Sequence, residues 1–257
     1  MFYLNILFDV LVKTGYIERQ NPEYKRARWI VLKTKEDYCK YHQVADCEIK
    51  QTHSGQVING DGYYEEIMEL SYEQLVQHLL NKHGPAKQDY FTDCSCTIKN
   101  KNVTRTEEGL FCHHIDEDKA VLLSNPELAC QNSFEYQRAN RLVYCDFLEH
   151  FLLHILIAEE PKREDANEWE VQGVGGAVCF ICKQLNDLYN GYKYKEQWLI
   201  NTTSKVKNNY LSYIKMLKRL WNLIKKDAML SMLIKKEDLA KGLNGTVHDN
   251  ILSELDN

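Results

Sequence analysis

Proline and glycine are scarce: four and twelve in 257 residues, which excludes collagen-like repeats and a linker-dominated architecture. No apolar run approaches the roughly eighteen residues that a membrane helix needs, and the longest, Phe151 to Ala158, is broken by His154. The opening Met1-Phe2-Tyr3-Leu4-Asn5-Ile6-Leu7-Phe8-Asp9 has no basic n-region and no small-residue cleavage site, so a signal peptide is not expected. Nine cysteines is an odd number, and without an export signal they read as thiols or metal ligands rather than bridges. A cytoplasmic protein with no membrane partner is expected. Positive charge is also short, 32 Lys and Arg against 37 Asp and Glu, for a net charge of −5. That balance argues against indiscriminate coating of nucleic acid. No G-x-S-x-G nucleophile elbow occurs, and no glycine-rich loop ends in the Lys-Ser/Thr of a P-loop.

Hydrophobic residues at 44% and charged residues at 27% place the chain among globular proteins. Its length suits one large domain or two small ones. Three stretches are distinguishable: 1–107, 108–160 and 161–257. The first opens with helical apolar spacing (Leu4, Phe8, Leu11, Val12), followed by turn signals over 45–64. Next comes a helix capped by the S-x-x-Q box of Ser71 and Gln74, carrying Leu75, Val76, Leu79 and Leu80 on one stripe and stopped by Gly84-Pro85. This first stretch is expected to be mixed α/β and to supply target recognition or partner contacts. The third begins with a polar hinge, 159–165, and Gly173-Val174-Gly175-Gly176 reads as a tight turn or close packing at a helix entrance.

The middle stretch carries the chemistry. Leu110-Phe111-Cys112 and Leu142-Val143-Tyr144 are short apolar runs suited to two strands, and His113-His114 follows the first. Adjacent residues on a strand point to opposite faces, so the two histidines should take different roles. His150 and His154 lie four apart with helical apolar spacing, which puts both imidazoles on one face, one turn apart, a geometry able to chelate a divalent cation.

His-His, a later Asn140, then His-x-x-x-His on a helix resembles the HNH, or His-Me finger, nuclease motif, over about residues 108–157. In that motif a β-hairpin and a helix hold one metal ion. The resemblance implies His113, His150 and His154 as metal ligands, His114 as general base, and Asn140 as the residue holding the base-bearing loop, with Asp146 as its alternative. A neutral imidazole can take a proton from water near pH 7, while the metal offsets charge on the scissile phosphate. The metal expected is Mg2+ first, with Zn2+, Mn2+ or Ni2+ as alternatives. The long span from His114 to Asn140 should house a short helix starting at Asn125-Pro126-Glu127, and no cysteine pairs for a structural zinc are evident.

Residues 191–226 carry nine Lys and Arg against the single acid Glu196, with Tyr192, Tyr194, Trp198, Tyr210, Tyr213 and Trp221 interleaved. Such a strip suits a phosphate backbone or is a solvated helix face. Within the helix read from Val206 to Ile224, Lys215, Arg219 and Lys226 share a face and are the candidate nucleic-acid contacts. Cys179-x-x-Cys182 reads as buried thiols, Cys94-x-Cys96 as incidental, and His248-Asp249 as an isolated pair. The fold expected is α+β, a ββα-metal finger embedded in a mostly helical protein. The function expected is a metal-dependent endonuclease acting on DNA, in restriction, phage defence or a mobile element, with a protein partner or a second copy possible. The alternative is a non-catalytic, metal-stabilised binding module.

Overall fold

The computed structural model describes residues 62–161, 172–243 and 245–256. The apolar spacing near Leu4, the turn signals before Gly62 and most of the hinge lie outside them. The described residues form a mostly helical protein with one two-stranded antiparallel sheet, an α+β architecture. Helix α1 (Tyr63–Ile67) leads into α2 (Tyr72–His83). At α2 the Ser71 hydroxyl caps the backbone N–H of Gln74, and the Gln74 side chain accepts from the Ser71 N–H, so the capping box forms as expected.

Strand β1 (Phe111–His114) pairs with β2 (Leu142–Cys145), with His113 opposite Val143 and His114 opposite Leu142. The intervening chain is knit from short turns, among them Ile115–Asp118, Pro126–Ala129, Phe134–Gln137 and Ala139–Arg141. The Asn125 side chain caps the second of these, with Pro126 at its first position, as expected. Asp116, buried beneath this excursion, takes Arg141 Nε at 2.6 Å and Lys119 at 2.8 Å, tying the exit of β1 to the entrance of β2.

Helix α3 (Phe147–Glu159) follows β2 after one residue, Asp146, whose carboxylate caps its first turn. Phe147, Leu148, Phe151, Leu152, Leu153, Ile155, Leu156 and Ile157 are all buried. A helix apolar on every side belongs at the centre of a protein. Around it pack α2, α4 (174–189), α5 (Gln197–Val206) and α6 (Tyr210–Lys226). Helix α4 is α-helical over Val174–Gly176 and Lys183–Tyr189 and π-helical over Ala177–Cys182. A last helix, α7 (Gly245–Asp256), adds Ile251 and Leu255 to the same core. No helix among the described residues is long and apolar enough to cross a membrane.

The N-terminus of α3 is anchored by a polar knot. Glu149, fully buried, accepts from Tyr63 at 2.6 Å, Lys82 at 2.6 Å and the Asp146 backbone N–H at 2.6 Å, and lies 3.0 Å from His83 Nε2. Burial opposes its ionisation, but His83, Lys82 and Tyr63 together hold its carboxyl below the usual range. Replacing Glu149 by alanine removes the acceptor shared by Tyr63, His83 and the Asp146 N–H, while Lys82, 36% exposed, can turn to water. The expected cost is about 1–3 kcal/mol, the scale of leaving buried polar partners unpaired. Urea denaturation against wild type measures it; an unchanged midpoint would mean that α3 is held by apolar packing alone.

Candidate metal centre

His150 and His154 project from α3 toward the end of β1, where His113 meets them. One ring nitrogen from each of the three can be chosen so that all lie within 4.8 Å of one another. Ring centroids are 5.3 Å apart for His113 with His150, 5.3 Å for His113 with His154, and 4.9 Å for the helical pair. The three residues that the sequence pattern groups together stand together in space.

Two hydrogen bonds settle the tautomer of His113. Tyr72 spends its one proton on the Ile115 carbonyl at 2.8 Å, so its oxygen must accept from His113 Nε2–H at 3.2 Å. Nδ1 is left as a lone pair. The Nδ1 atoms of His113, His150 and His154 are all buried without a hydrogen-bond partner. A divalent cation can use one ring nitrogen from each of the three; at His154 the nitrogen beside the Glu117 carboxylate is Nε2, while Nδ1 turns toward α4 at Gly176.

His114 stands apart from the triad. Its ring packs tilted against Tyr90 with centroids 4.3 Å apart, and its Nε2 lies 2.8 Å from Gln137 Oε1. The Gln137 amide nitrogen donates to the Leu123 carbonyl, which fixes the amide's orientation and makes its oxygen the acceptor. His114 is therefore protonated on Nε2, with Nδ1 free to act as a base. Burial pushes its pKa down to about 4, the Gln137 bond pulling the other way. Asn140, expected in the supporting role, lies exposed on the turn before β2; the amide that meets the histidine is that of Gln137. Asp146, its alternative, is committed to capping α3 and to the Tyr64 hydroxyl at 2.8 Å.

Glu117, not singled out by the sequence pattern, faces both groups. Its Oε2 is 3.8 Å from His113 Nδ1 and 3.6 Å from His154 Nε2, while its Oε1 is 3.8 Å from His114 Nδ1. Desolvation raises its pKa to about 8. The signal available for it was the acidic run 116–118 directly after the histidine pair. Gly176 has a clearer one in the 173–176 motif. A Cβ there would lie 2.3 Å from the His154 ring, and one at Gly173 would lie 2.2 Å from the His154 carbonyl. Glycines at these positions let α4 close over α3.

The four histidines and Glu117 line a cleft of about 920 Å3, with Gly176, Phe180 and Ile181 of α4 on one wall and Lys99, Lys101 and Arg105 at its rim. The strip residues Lys215, Arg219 and Lys226 line a different, shallow groove together with Glu159 and Lys218. There Lys215 pairs with Glu65 at 2.8 Å, Lys218 with Glu254 at 2.9 Å, and Arg219 forks onto Glu159 at 2.6 Å. Cys179 and Cys182, on the π segment, are free thiols raised by burial. Cys94 and Cys96 are free as well. His248 and Asp249 form an isolated pair at 3.1 Å. No family model matches the chain, and neither does any curated protein or solved structure.

Two outcomes follow for the metal-free protein. Burial depresses all four imidazoles, His114 and His154 to about 4 and His113 and His150 well below 6.5. Each takes up a proton on unfolding as pH falls through 6.5, so its stabilising contribution, present above that value, is lost on acidification. Glu117 works oppositely, costing stability as pH rises from 4.5 toward 8. Asp146, raised by burial to about 6, and Asp118, also raised, act in the same direction as Glu117. With four imidazoles against three carboxyls, Tm should still fall as pH drops from 6.5 to 5, and a Tm independent of pH there would contradict the burial. Gly176→Ala should leave the fold intact but push the His154 ring aside. Calorimetry should then show metal affinity about 10–100-fold weaker, the usual scale for disturbing a ligand's support.

Proposed function

We propose that the chain is a metal-dependent endonuclease that hydrolyses phosphodiester bonds in DNA. One observation carries this reading: a three-histidine cluster built from β1 and α3, with a fourth histidine of fixed tautomer in the same cleft. Support also comes from the element order, strand, strand, helix, which is that of the nuclease finger the sequence resembles.

His113, His150 and His154 would hold the metal, which when bound would polarise the scissile phosphate and stabilise the departing oxygen. Three imidazoles and a nearby carboxylate form a donor set suited to Zn2+, Ni2+ or Mn2+ more than to Mg2+, which prefers oxygen ligands and keeps its waters. His114 Nδ1 would accept the proton of the attacking water. Gln137 keeps that nitrogen deprotonated and aimed into the cleft by taking the proton on the opposite side of the ring. An anionic phosphate beside His114 favours the charged imidazole and so lifts its basicity from the depressed value of the free protein. Tyr72 plays the same orienting part for His113.

Glu117 defines the second reading. Should its carboxylate ligate the metal, the site would have four protein ligands and be closed, which is the mark of a structural centre. The chain would then be a metal-stabilised binding module without activity. Metal-dependent nicking of plasmid DNA separates the two. His114→Ala should lose about 10²–10⁴ in rate while keeping its metal affinity. His150→Ala and His154→Ala should lose metal and activity together. Near-wild-type nicking by His114→Ala would sink the mechanism, and no nicking by wild type with any of these metals would favour the structural centre.

A further inference from the structure

The cations that line the histidine cleft come from one short stretch, Lys99, Lys101 and Arg105, and among the described residues Glu117 is the single acid lining it. Among the described residues no carboxylate pairs with any of the three. The contrast with α6 is sharp, since there Lys215, Lys218 and Arg219 are each matched by an acid. Unmatched cations gathered around a concave opening focus their field on it and draw anions in.

The rim is also held in shape. Arg105 lies over the face of Trp198 at 4.3 Å from the ring centre, and Lys99 over Tyr90 at 5.9 Å. Trp198 in turn meets the Phe111 ring edge-on at 5.1 Å, which connects the rim to β1. An aromatic face restrains a guanidinium without neutralising it. Beside Lys99, Ile98 is 62% exposed, an apolar surface among cations that suits the sugar faces or a base step of a nucleic acid. The cavity's volume lies at the upper end of the roughly 300–1,000 Å3 typical of ligand sites.

We propose that Lys99, Lys101 and Arg105 are the phosphate-gripping rim of the cleft, holding the DNA backbone so that one phosphodiester reaches the histidines. The inference rests on the endonuclease reading and names the substrate contacts of that site. It also moves them away from α6, where Lys215, Lys218 and Arg219 each already meet an acid. Because these contacts go to phosphates, they position the strand and carry no base information.

The test is binding rather than cleavage, so that it is separable from catalysis. A short fluorescent DNA duplex is titrated by anisotropy at several salt concentrations with the metal chelated. For wild type the logarithm of affinity should fall linearly with that of salt. The triple variant Lys99→Ala, Lys101→Ala, Arg105→Ala should flatten the slope by about 0.9 per lost phosphate contact and bind at least tenfold more weakly near physiological salt. A companion triple at Lys215, Arg219 and Lys226 should keep the wild-type slope. Lys101→Glu alone, an exposed change that the fold tolerates, should weaken binding in the same direction. Wild-type slope and affinity in the rim triple, or a flattened slope only in the α6 triple, overturns the proposal. If the rim triple loses DNA while wild type binds but never nicks, the rim stands and the endonuclease reading falls.

Discussion

Crowding three imidazoles together at the end of β1 and on α3 is the constraint from which the rest follows. Burial removes the water that would hydrate a charged ring, so His113, His150 and His154 are held neutral, their pKa values pushed below the usual range. Neutral rings whose nitrogens come within 4.8 Å of one another keep lone pairs that a cation could use. Under the proposed function, a metal bound there would add its binding free energy to that of folding.

Around that constraint the polar groups divide into two sets. Glu149, Asp146 and Asp116 are buried acids fully engaged with partners from neighbouring elements, and they fix where α3 and the two strands meet. Glu117 is different, standing between the triad and His114 with no short contact to either. Its raised pKa is what a carboxyl does when burial removes water and no cation has replaced it. Glu117 is thus the residue whose behaviour decides between an open centre and a closed one.

How much of this is legible in the sequence depends on whether a residue's role is local. The spacing of His150 and His154 is a property of one helix, so spacing alone pairs them; alternation on a strand separates His113 from His114, and only the resemblance to the nuclease finger assigns His113 to the pair. The caps at Ser71 and Asn125 are legible for the same reason. Asn140 and Gln137 are three residues apart in a chain of short turns, and nothing local decides which amide reaches His114. The Leu123 carbonyl, across the excursion from Gln137, decides it. The basic strip does not announce its partners because Glu65 and Glu159 lie 150 and 60 residues away from the cations they meet. Net charge along a sequence counts cations but not the acids that fold back onto them. Lys99, Lys101 and Arg105 form a dense but very short run, three cations in seven residues, that precedes the motif and is easily passed over beside the longer strip.

Helix α4 shows how the cleft came to have a wall at all. A π segment bonds i to i+5, bringing residues five apart into line, and such segments are rare and frequently found at functional sites. Gly176 and Ile181 are five apart and both face the cleft, at the two ends of the π-helical stretch Ala177–Cys182. With a regular α-helix the second of these would rotate off the cavity. The glycine cannot be exchanged for a larger residue without displacing His154, and the widened turn beyond it brings the apolar side chain of Ile181 to the cleft wall. Apolar packing of α4 and burial of the imidazoles are therefore one structural decision, and it is made by a glycine pair that the sequence displays openly but whose purpose depends on α3 lying beneath it.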